Sequence, residues 1–90
     1  MLKISATNRF KKDLKLCQKR KYKFDLLYEV IDTLAIPEPL EDKYREHNLK
    51  GDYVGYRECH ITPDWLLIYL VTDEELILGR TGTHADLFSK

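Results

Sequence analysis

Three histidines and one aspartate are the residues of this sequence best suited to moving protons. His47, His60 and His84 all lie in the second half of the chain, near predicted strand ends or turns. Asp64 follows His60 by four residues, across a predicted turn. Histidine titrates near pH 6.5, so it can give or take a proton at neutral pH, and a neighbouring carboxylate can orient its ring. These four residues are therefore candidates for an acid–base site.

Three charged residues flank this set. Glu58 lies two residues before His60, so both side chains point to the same face of a strand, whereas Arg57 points to the other face. Arg80 lies close to His84 in the sequence, at the end of a predicted strand. The face shared by Glu58 and His60 is therefore the expected location of the site.

A zinc site is the competing interpretation of the same residues. His47, His60, His84 and Asp64 are all acceptable zinc ligands. However, no His-x-His or HExxH spacing places two of these ligands on one rigid element. We therefore expect no metal and no other cofactor, with a zinc site as the alternative.

The positive charge of the chain is concentrated near its N-terminus. The formal net charge is zero, but residues 1–23 hold nine Lys or Arg and one acid, Asp13. Such density suits contact with a phosphate backbone, and the lack of interleaved aromatic residues favours duplex or structured RNA over single strands. A merely solvated helix face is the alternative. The candidate RNA-binding residues are Lys11, Lys12, Lys15 and Lys19.

A strand and a helix are predicted at the start of the chain. Apolar and polar side chains alternate over residues 2–6, which indicates a short strand. Thr7 or Asn8 can cap the helix that follows. The apolar stripe of that helix consists of Phe10, Leu14 and Cys17.

A second helix is predicted to begin near Phe24 or Asp25, after a short connection at residues 21–23. Pro37 and Pro39 end this helix, because proline does not continue a helix easily. Each apolar stripe must be buried against another apolar surface, so we expect the two helices to form a helical hairpin. The apolar positions of the second helix are Leu27, Tyr28, Ile31, Leu34 and Ala35.

The second half of the chain has the pattern of a β-meander. Residues 56–61 alternate, residues 65–71 are almost continuously apolar, and residues 75–81 form a third strand segment. The apolar run predicts a central strand buried on both faces. The predicted fold is α+β, with the order β-α-α-β-β-β and a helical hairpin packed on one face of a small, mostly antiparallel sheet.

The length and the cysteine content of the chain indicate how many domains it forms and in which compartment it acts. Its 90 residues suffice for one domain, 1–90, with one modest core. Cys17 and Cys59 lie far apart without a CxxC motif, so we expect two buried thiols in a reducing compartment. No apolar run approaches the ~20 residues of a membrane span, and the N-terminus lacks a signal-peptide core. We therefore expect a cytoplasmic protein without a membrane partner.

Three blocks of the sequence resemble those of a known family. They occur at residues 47–51 (HNLKG), 55–69 (GYRECHITPDWLLIY) and 80–88 (RTGTHADLF). In this order they resemble the YafQ-type toxins of the RelE superfamily, from bacterial toxin–antitoxin systems. The resemblance covers nearly the whole chain and implies a RelE-like fold. It also implies an mRNA endoribonuclease that acts in the ribosomal A site and has a cognate antitoxin as partner.

The resemblance also assigns roles to individual residues. His47, His60, Asp64 and His84 match the catalytic set, with His84 at the position of the proton donor. Glu58 matches an acidic position that supports the site, and Phe88 matches an aromatic residue that positions the mRNA.

Metal-free RNA cleavage fits these roles. A base must deprotonate the 2′-OH, and an acid must protonate the leaving 5′-oxygen, giving a 2′,3′-cyclic phosphate and a 5′-OH. Arg80, Arg57 and an imidazolium are candidates for stabilising the charge that develops on the phosphorus. The base is His47 or His60, aided by Asp64. The alternatives are a non-catalytic module that binds RNA or the ribosome, and a metal-dependent hydrolase.

Overall fold

A five-stranded sheet forms the centre of the computed structural model, which describes residues 1–88. The strands are β1 (Lys3–Ala6), β2 (His47–Asn48), β3 (Arg57–Thr62), β4 (Trp65–Val71) and β5 (Glu75–Gly82). The helices are α1 (Asn8–Lys19), α2 (Phe24–Ala35) and α3 (His84–Phe88), with short 3₁₀ turns at Asp42–Tyr44 and Gly51–Tyr53. The strand order is β1-β5-β4-β3-β2, with β1 parallel to β5 and the other pairs antiparallel. The predicted α+β fold is confirmed.

Two short elements were not predicted from the sequence. β2 has only two residues, which is too short to show an alternating pattern. α3 has five residues, too few for a helical apolar stripe. The sequence pattern therefore located the long helices and strands but missed these two short elements. Both carry a histidine, His47 in β2 and His84 in α3, so both contribute to the site.

The cap of α1 also attaches this helix to the sheet. The Thr7 hydroxyl oxygen accepts a hydrogen bond from the Phe10 amide at 3.0 Å and donates to the Gly79 carbonyl at 2.8 Å. The predicted cap at Thr7 is therefore correct. Phe10 and Cys17 are buried against the sheet, which leaves the lysine-rich side of α1 in solvent.

The buried stripe of α2 differs from the prediction at one position. Tyr28, predicted in the core, is 55% exposed, whereas Val30 is 1% exposed. At 3.6 residues per turn, Val30 lies closer than Tyr28 to the centre of the stripe that Leu27 and Leu34 define. The helix ends at Ala35, as the two following prolines require.

The two faces of the sheet are covered to different extents. α1 and α2 cover one face, where Cys59, Trp65 and Tyr69 lie in the main core. The opposite face carries a small cluster of Leu66, Ile68 and Leu87. β4 is buried on both faces from Trp65 to Tyr69, as predicted, but its last two residues are not fully buried. The face opposite the helices is thus partly open to a ligand.

Both cysteines are free and buried. Burial raises the pKa of the Cys59 thiol to about 12 and also raises the pKa of the Cys17 thiol. Both thiols therefore stay protonated at neutral pH and have a packing role. None of the helices described in residues 1–88 combines the length and the apolar character needed to cross a membrane.

Candidate active site

A buried carboxylate holds two of the histidines together. His47 in β2 pairs directly with Glu58 in β3, and His60 lies two residues farther along the same strand. Glu58 Oε1 is 3.2 Å from His47 Nε2 and 3.5 Å from His60 Nε2. The Glu58 residue is 3% exposed, so solvent screens these contacts little. The shared face predicted for Glu58 and His60 is confirmed.

Both ring nitrogens of His47 face hydrogen-bond acceptors. Its Nδ1 lies 2.9 Å from the Arg45 carbonyl oxygen, and its Nε2 faces the Glu58 carboxylate. Both partners are acceptors, and a neutral imidazole has only one N–H to donate. His47 is thus held in place by contacts at both of its ring nitrogens.

His84 approaches the same cluster from α3. Its ring centroid is 5.6 Å from that of His60, and His60 is 6.4 Å from His47. Asp64 Oδ1 lies 3.7 Å from His84 Nδ1, so this carboxylate faces His84 rather than the two histidines that we expected it to aid. Phe88 follows one turn later, with its ring centroid 6.2 Å from that of His84. The structure thus brings all three histidines together.

The two arginines occupy different faces of the sheet. Arg57 lies on the helix-covered face, where it contacts Glu46 at 3.2 Å and donates to the Asn48 side chain at 2.8 Å. Arg57 therefore does not reach the histidines, and its expected role at the phosphate is not supported. Its strand alternates, so the sequence itself had placed Arg57 and His60 on opposite faces.

Arg80 lies on the same face as Glu58, with Ile68 of β4 between them in register. Its guanidinium donates to Asp13 Oδ2 at 2.8 Å and to the Tyr53 hydroxyl at 3.2 Å. The Asp13 contact raises the pKa of Arg80, so this arginine is a fixed cation beside the site. Asp13, the acid of the basic N-terminal segment, is thereby turned away from the lysines of α1.

The four candidate RNA-binding lysines form an exposed strip along α1. All four side chains are exposed to solvent, and the strip ends near Arg20 at the C-terminus of the helix. Because Asp13 pairs with Arg80, the positive potential of this surface is little reduced by its own helix. The members of the strip are Lys11, Lys12, Lys15 and Lys19.

A cavity of about 670 Å³ adjoins the histidines. His60 and His84 form one wall, and the loop before β2 supplies cationic and aromatic side chains to another. Its volume falls within the range of small-molecule and nucleotide pockets. Sequence reasoning missed this loop, because its residues have no periodic pattern. The lining includes Leu26, Lys43, Tyr44, Arg45, Ile61 and Pro63.

Glu58, His60 and His84 also meet the distance requirements of a metal site. One ligand atom from each lies within 4.8 Å of the other two. Two imidazoles and a carboxylate are a donor set that zinc accepts. Because the three ligands come from β3 and α3, no local spacing in the sequence could have indicated this group.

The sheet topology and helical hairpin define a RelE-like fold, with the histidine cluster on the open face. The chain belongs to the family described as the bacterial YafQ toxin of type II toxin–antitoxin systems, which matches residues 2–89. The "mRNA interferase toxin YafQ" of Escherichia coli K12 is 43% identical, with 94% of each chain covered.

Two solved structures extend this similarity. A copper-bound mutant toxin from Helicobacter pylori has a TM-score of 0.93 at 45% identity, covering 98% of this chain and 100% of that chain. The E. coli DinJ–YafQ complex contains a chain with a TM-score of 0.89 at 42% identity, covering 98% of this chain and 99% of that chain. The predicted family is therefore confirmed.

Proposed function

We propose that this toxin is a ribosome-dependent endoribonuclease that cleaves mRNA in the A site without a metal. The supporting observation is the cluster of three imidazoles around one buried carboxylate, with 5.6 Å between the His60 and His84 ring centroids. The E. coli relative named as an mRNA interferase supports the same substrate class. Since the substrate is translated mRNA, we infer that the protein acts in the cytoplasm.

The proposed reaction uses one histidine as base and another as acid. His60 takes the proton of the 2′-OH, and the 2′-oxygen attacks the phosphorus while the bond to the 5′-oxygen breaks. His84 donates a proton to that leaving oxygen, which gives a 2′,3′-cyclic phosphate and a 5′-OH. The His47 imidazolium and Arg80 stabilise the negative charge on the phosphoryl oxygens. His47 is the less suitable base, because both of its ring nitrogens already face other groups, the Arg45 carbonyl oxygen and the Glu58 carboxylate.

The surroundings of the site suit a single-stranded message. The cavity beside His60 and His84 offers Tyr44 for stacking and Lys43 and Arg45 for phosphate contact. Phe88, next to His84, supplies a second aromatic surface. The lysine strip on α1 then binds ribosomal RNA. By analogy with the E. coli complex, a cognate antitoxin is the expected protein partner.

Programmed ribosomes provide the direct test of this function. The purified protein should cut mRNA within the A-site codon of a stalled ribosome and leave free mRNA intact. The upstream fragment should end in a cyclic phosphate and the downstream fragment in a 5′-OH. Binding to ribosomes without cleavage would instead support the non-catalytic module and contradict the enzyme proposal.

Replacing the four lysines of the α1 strip by alanine should weaken binding to ribosomes. For every lysine–phosphate ion pair that the substitutions remove, the dependence of log K on log salt should fall by about one unit of slope. Affinities measured between roughly 50 and 200 mM salt would reveal this change. The exposed Lys3 on β1 provides the control, since Lys3→Ala removes a charge outside the strip. Unchanged affinity and slope in the quadruple variant would show that the strip is only a solvated surface.

A metal-dependent hydrolase is the second candidate, because Glu58, His60 and His84 can hold an ion. The copper-bound toxin from H. pylori makes this test necessary.

We expect protein stripped with EDTA, and then freed of the chelator, to cleave ribosome-bound mRNA at the parent rate. Added Zn²⁺ or Cu²⁺ should inhibit, because a bound ion occupies the nitrogen lone pairs needed for proton transfer. Loss of cleavage after stripping, restored by Zn²⁺ with intact ribosomes, would overturn the metal-free mechanism.

A further inference from the structure

We propose that Arg20 and Asp86 form a clamp that positions His84 for proton transfer. The clamp connects the C-terminal end of α1 with α3. This inference rests on the proposed function, because it assigns a task to the His84 ring. Arg20 and Asp86 are positioning residues, since neither touches the other histidines.

The first part of the clamp is a capping box at the start of α3. The Thr83 hydroxyl oxygen accepts from the Asp86 amide at 3.1 Å, and Asp86 Oδ2 accepts from the Thr83 amide at 2.9 Å. His84 is the first residue of the helix between these two partners. A helix of five residues is not stable alone, so the direction of the His84 side chain depends on this box.

The backbone at Gly82 makes room for the Asp86 carboxylate. Gly82 has φ +154°, and a Cβ built there would lie 2.8 Å from Asp86 Oδ2. A side chain at this position would therefore collide with the carboxylate that closes the box. The capping box formed by Asp86 therefore requires glycine at residue 82.

The second part of the clamp is a bidentate ion pair with α1. Arg20 Nη1 donates to Asp86 Oδ2 at 2.6 Å, and Nη2 donates to Oδ1 at 3.0 Å. The arginine holds the pKa of the Asp86 carboxyl far below its usual range. Paired guanidinium–carboxylate hydrogen bonds fix orientation as well as distance. α3 is thereby oriented by α1, the helix that carries the lysine strip.

The consequence for catalysis is geometric. Without the clamp, α3 can still pack through Leu87, which is 7% exposed. The turn that carries His84, however, loses the hydrogen bonds of the capping box and of the ion pair with α1. Misplacement of a catalytic group by about 1 Å can lower a rate by up to ~100-fold. The clamp should thus affect the chemical step rather than binding to the ribosome.

A double-mutant cycle on single-turnover cleavage tests this inference. At saturating ribosomes, Arg20→Ala should lower the rate by about tenfold. Asp86→Ala should lower it at least as much, because it removes the capping box as well as the ion pair, and the double variant should lose no more than Asp86→Ala alone. Asp86→Glu should retain most of the rate, because glutamate also forms the capping box. Gln18→Ala, an exposed change on the same helix, is the control.

Ribosome affinity separates this role from RNA contact by Arg20. Arg20→Ala removes the arginine, whereas Asp86→Ala keeps it. If Arg20 acts through Asp86 and not by contacting RNA, both single variants should bind ribosomes as the parent does. In a His84→Ala background, Arg20→Ala should cause no further loss of rate. Losses that multiply in the Arg20/Asp86 double variant, or a further loss in the His84→Ala background, would overturn the clamp.

A measurement on the free protein keeps the clamp testable if the parent does not cleave mRNA. The amides of Asp86 and Leu87 donate to Thr83, so hydrogen exchange at these two sites reports on the first turn of α3. Arg20→Ala should accelerate both exchange rates by at least about tenfold, while amides of β4 stay protected. Unchanged exchange would contradict the clamp, whereas an inactive parent with accelerated exchange would contradict only the proposed function.

Discussion

Replacing His84 by alanine is expected to lower the single-turnover rate of mRNA cleavage by at least ~100-fold. General acid–base groups contribute typically ~10²–10⁴-fold, which is about 3–5 kcal/mol of the barrier. The His84 side chain is 54% exposed, so its removal should leave stability nearly unchanged. Ribosome affinity should also stay near that of the parent, because the lysine strip is untouched.

Growth assays provide a second measurement of the same change. Cells without an antitoxin should tolerate His84→Ala, whereas the parent should arrest growth. The exposed Ala85 beside His84 offers a control, since Ala85→Ser changes α3 without removing an imidazole. A His84→Ala protein that cleaves within about threefold of the parent rate would remove His84 from the mechanism.

Exchanging Glu58 for glutamine should lower the cleavage rate by about 10- to 100-fold. A hydrogen bond to a charged group contributes about 1.5–3 kcal/mol, and each 1.36 kcal/mol corresponds to a factor of ten. Glutamine preserves the shape of the buried side chain but removes the negative charge that faces His47 and His60. The loss should appear in the single-turnover rate and not in ribosome affinity.

Glu75 provides a matched control for this variant. Its partly buried carboxylate accepts from the Ser5 hydroxyl at 3.1 Å, next to β1 and away from the histidines. Glu75→Gln should therefore cleave like the parent. Equal rates for Glu58→Gln and the parent, with both proteins folded, would show that the buried carboxylate does not support catalysis.

The sequence predicted the parts of the site that follow from strand periodicity. Glu58 and His60 share a face because alternate residues of a strand do so, and Arg57 lies opposite for the same reason. The position of His47 could not be predicted in this way, because its two-residue strand is too short to show an alternating pattern. Its pairing with Glu58 exists only in the folded chain. Periodicity identified the face of the sheet, whereas the pairing of His47 required the structure.

Long-range contacts account for most of what the sequence could not predict. Arg80 pairs with Asp13, and Arg20 with Asp86, across separations of 67 and 66 residues. No local rule relates residues so far apart, so these pairs were absent from the expectations. Asp64 was expected near the base, but the turn before β4 directs it toward His84.

The parallel pairing of β1 with β5 has a consequence for synthesis of the toxin. The Thr7 hydroxyl at the end of β1 donates to the Gly79 carbonyl, 72 residues away, so the first strand has no partner until β5 has been made. Contacts this distant in sequence form late, because a long loop must close before they contribute. His84 follows β5, so the histidine cluster assembles last. A ribosome that translates this chain is therefore not exposed to a folded nuclease before β5 and α3 have been synthesised.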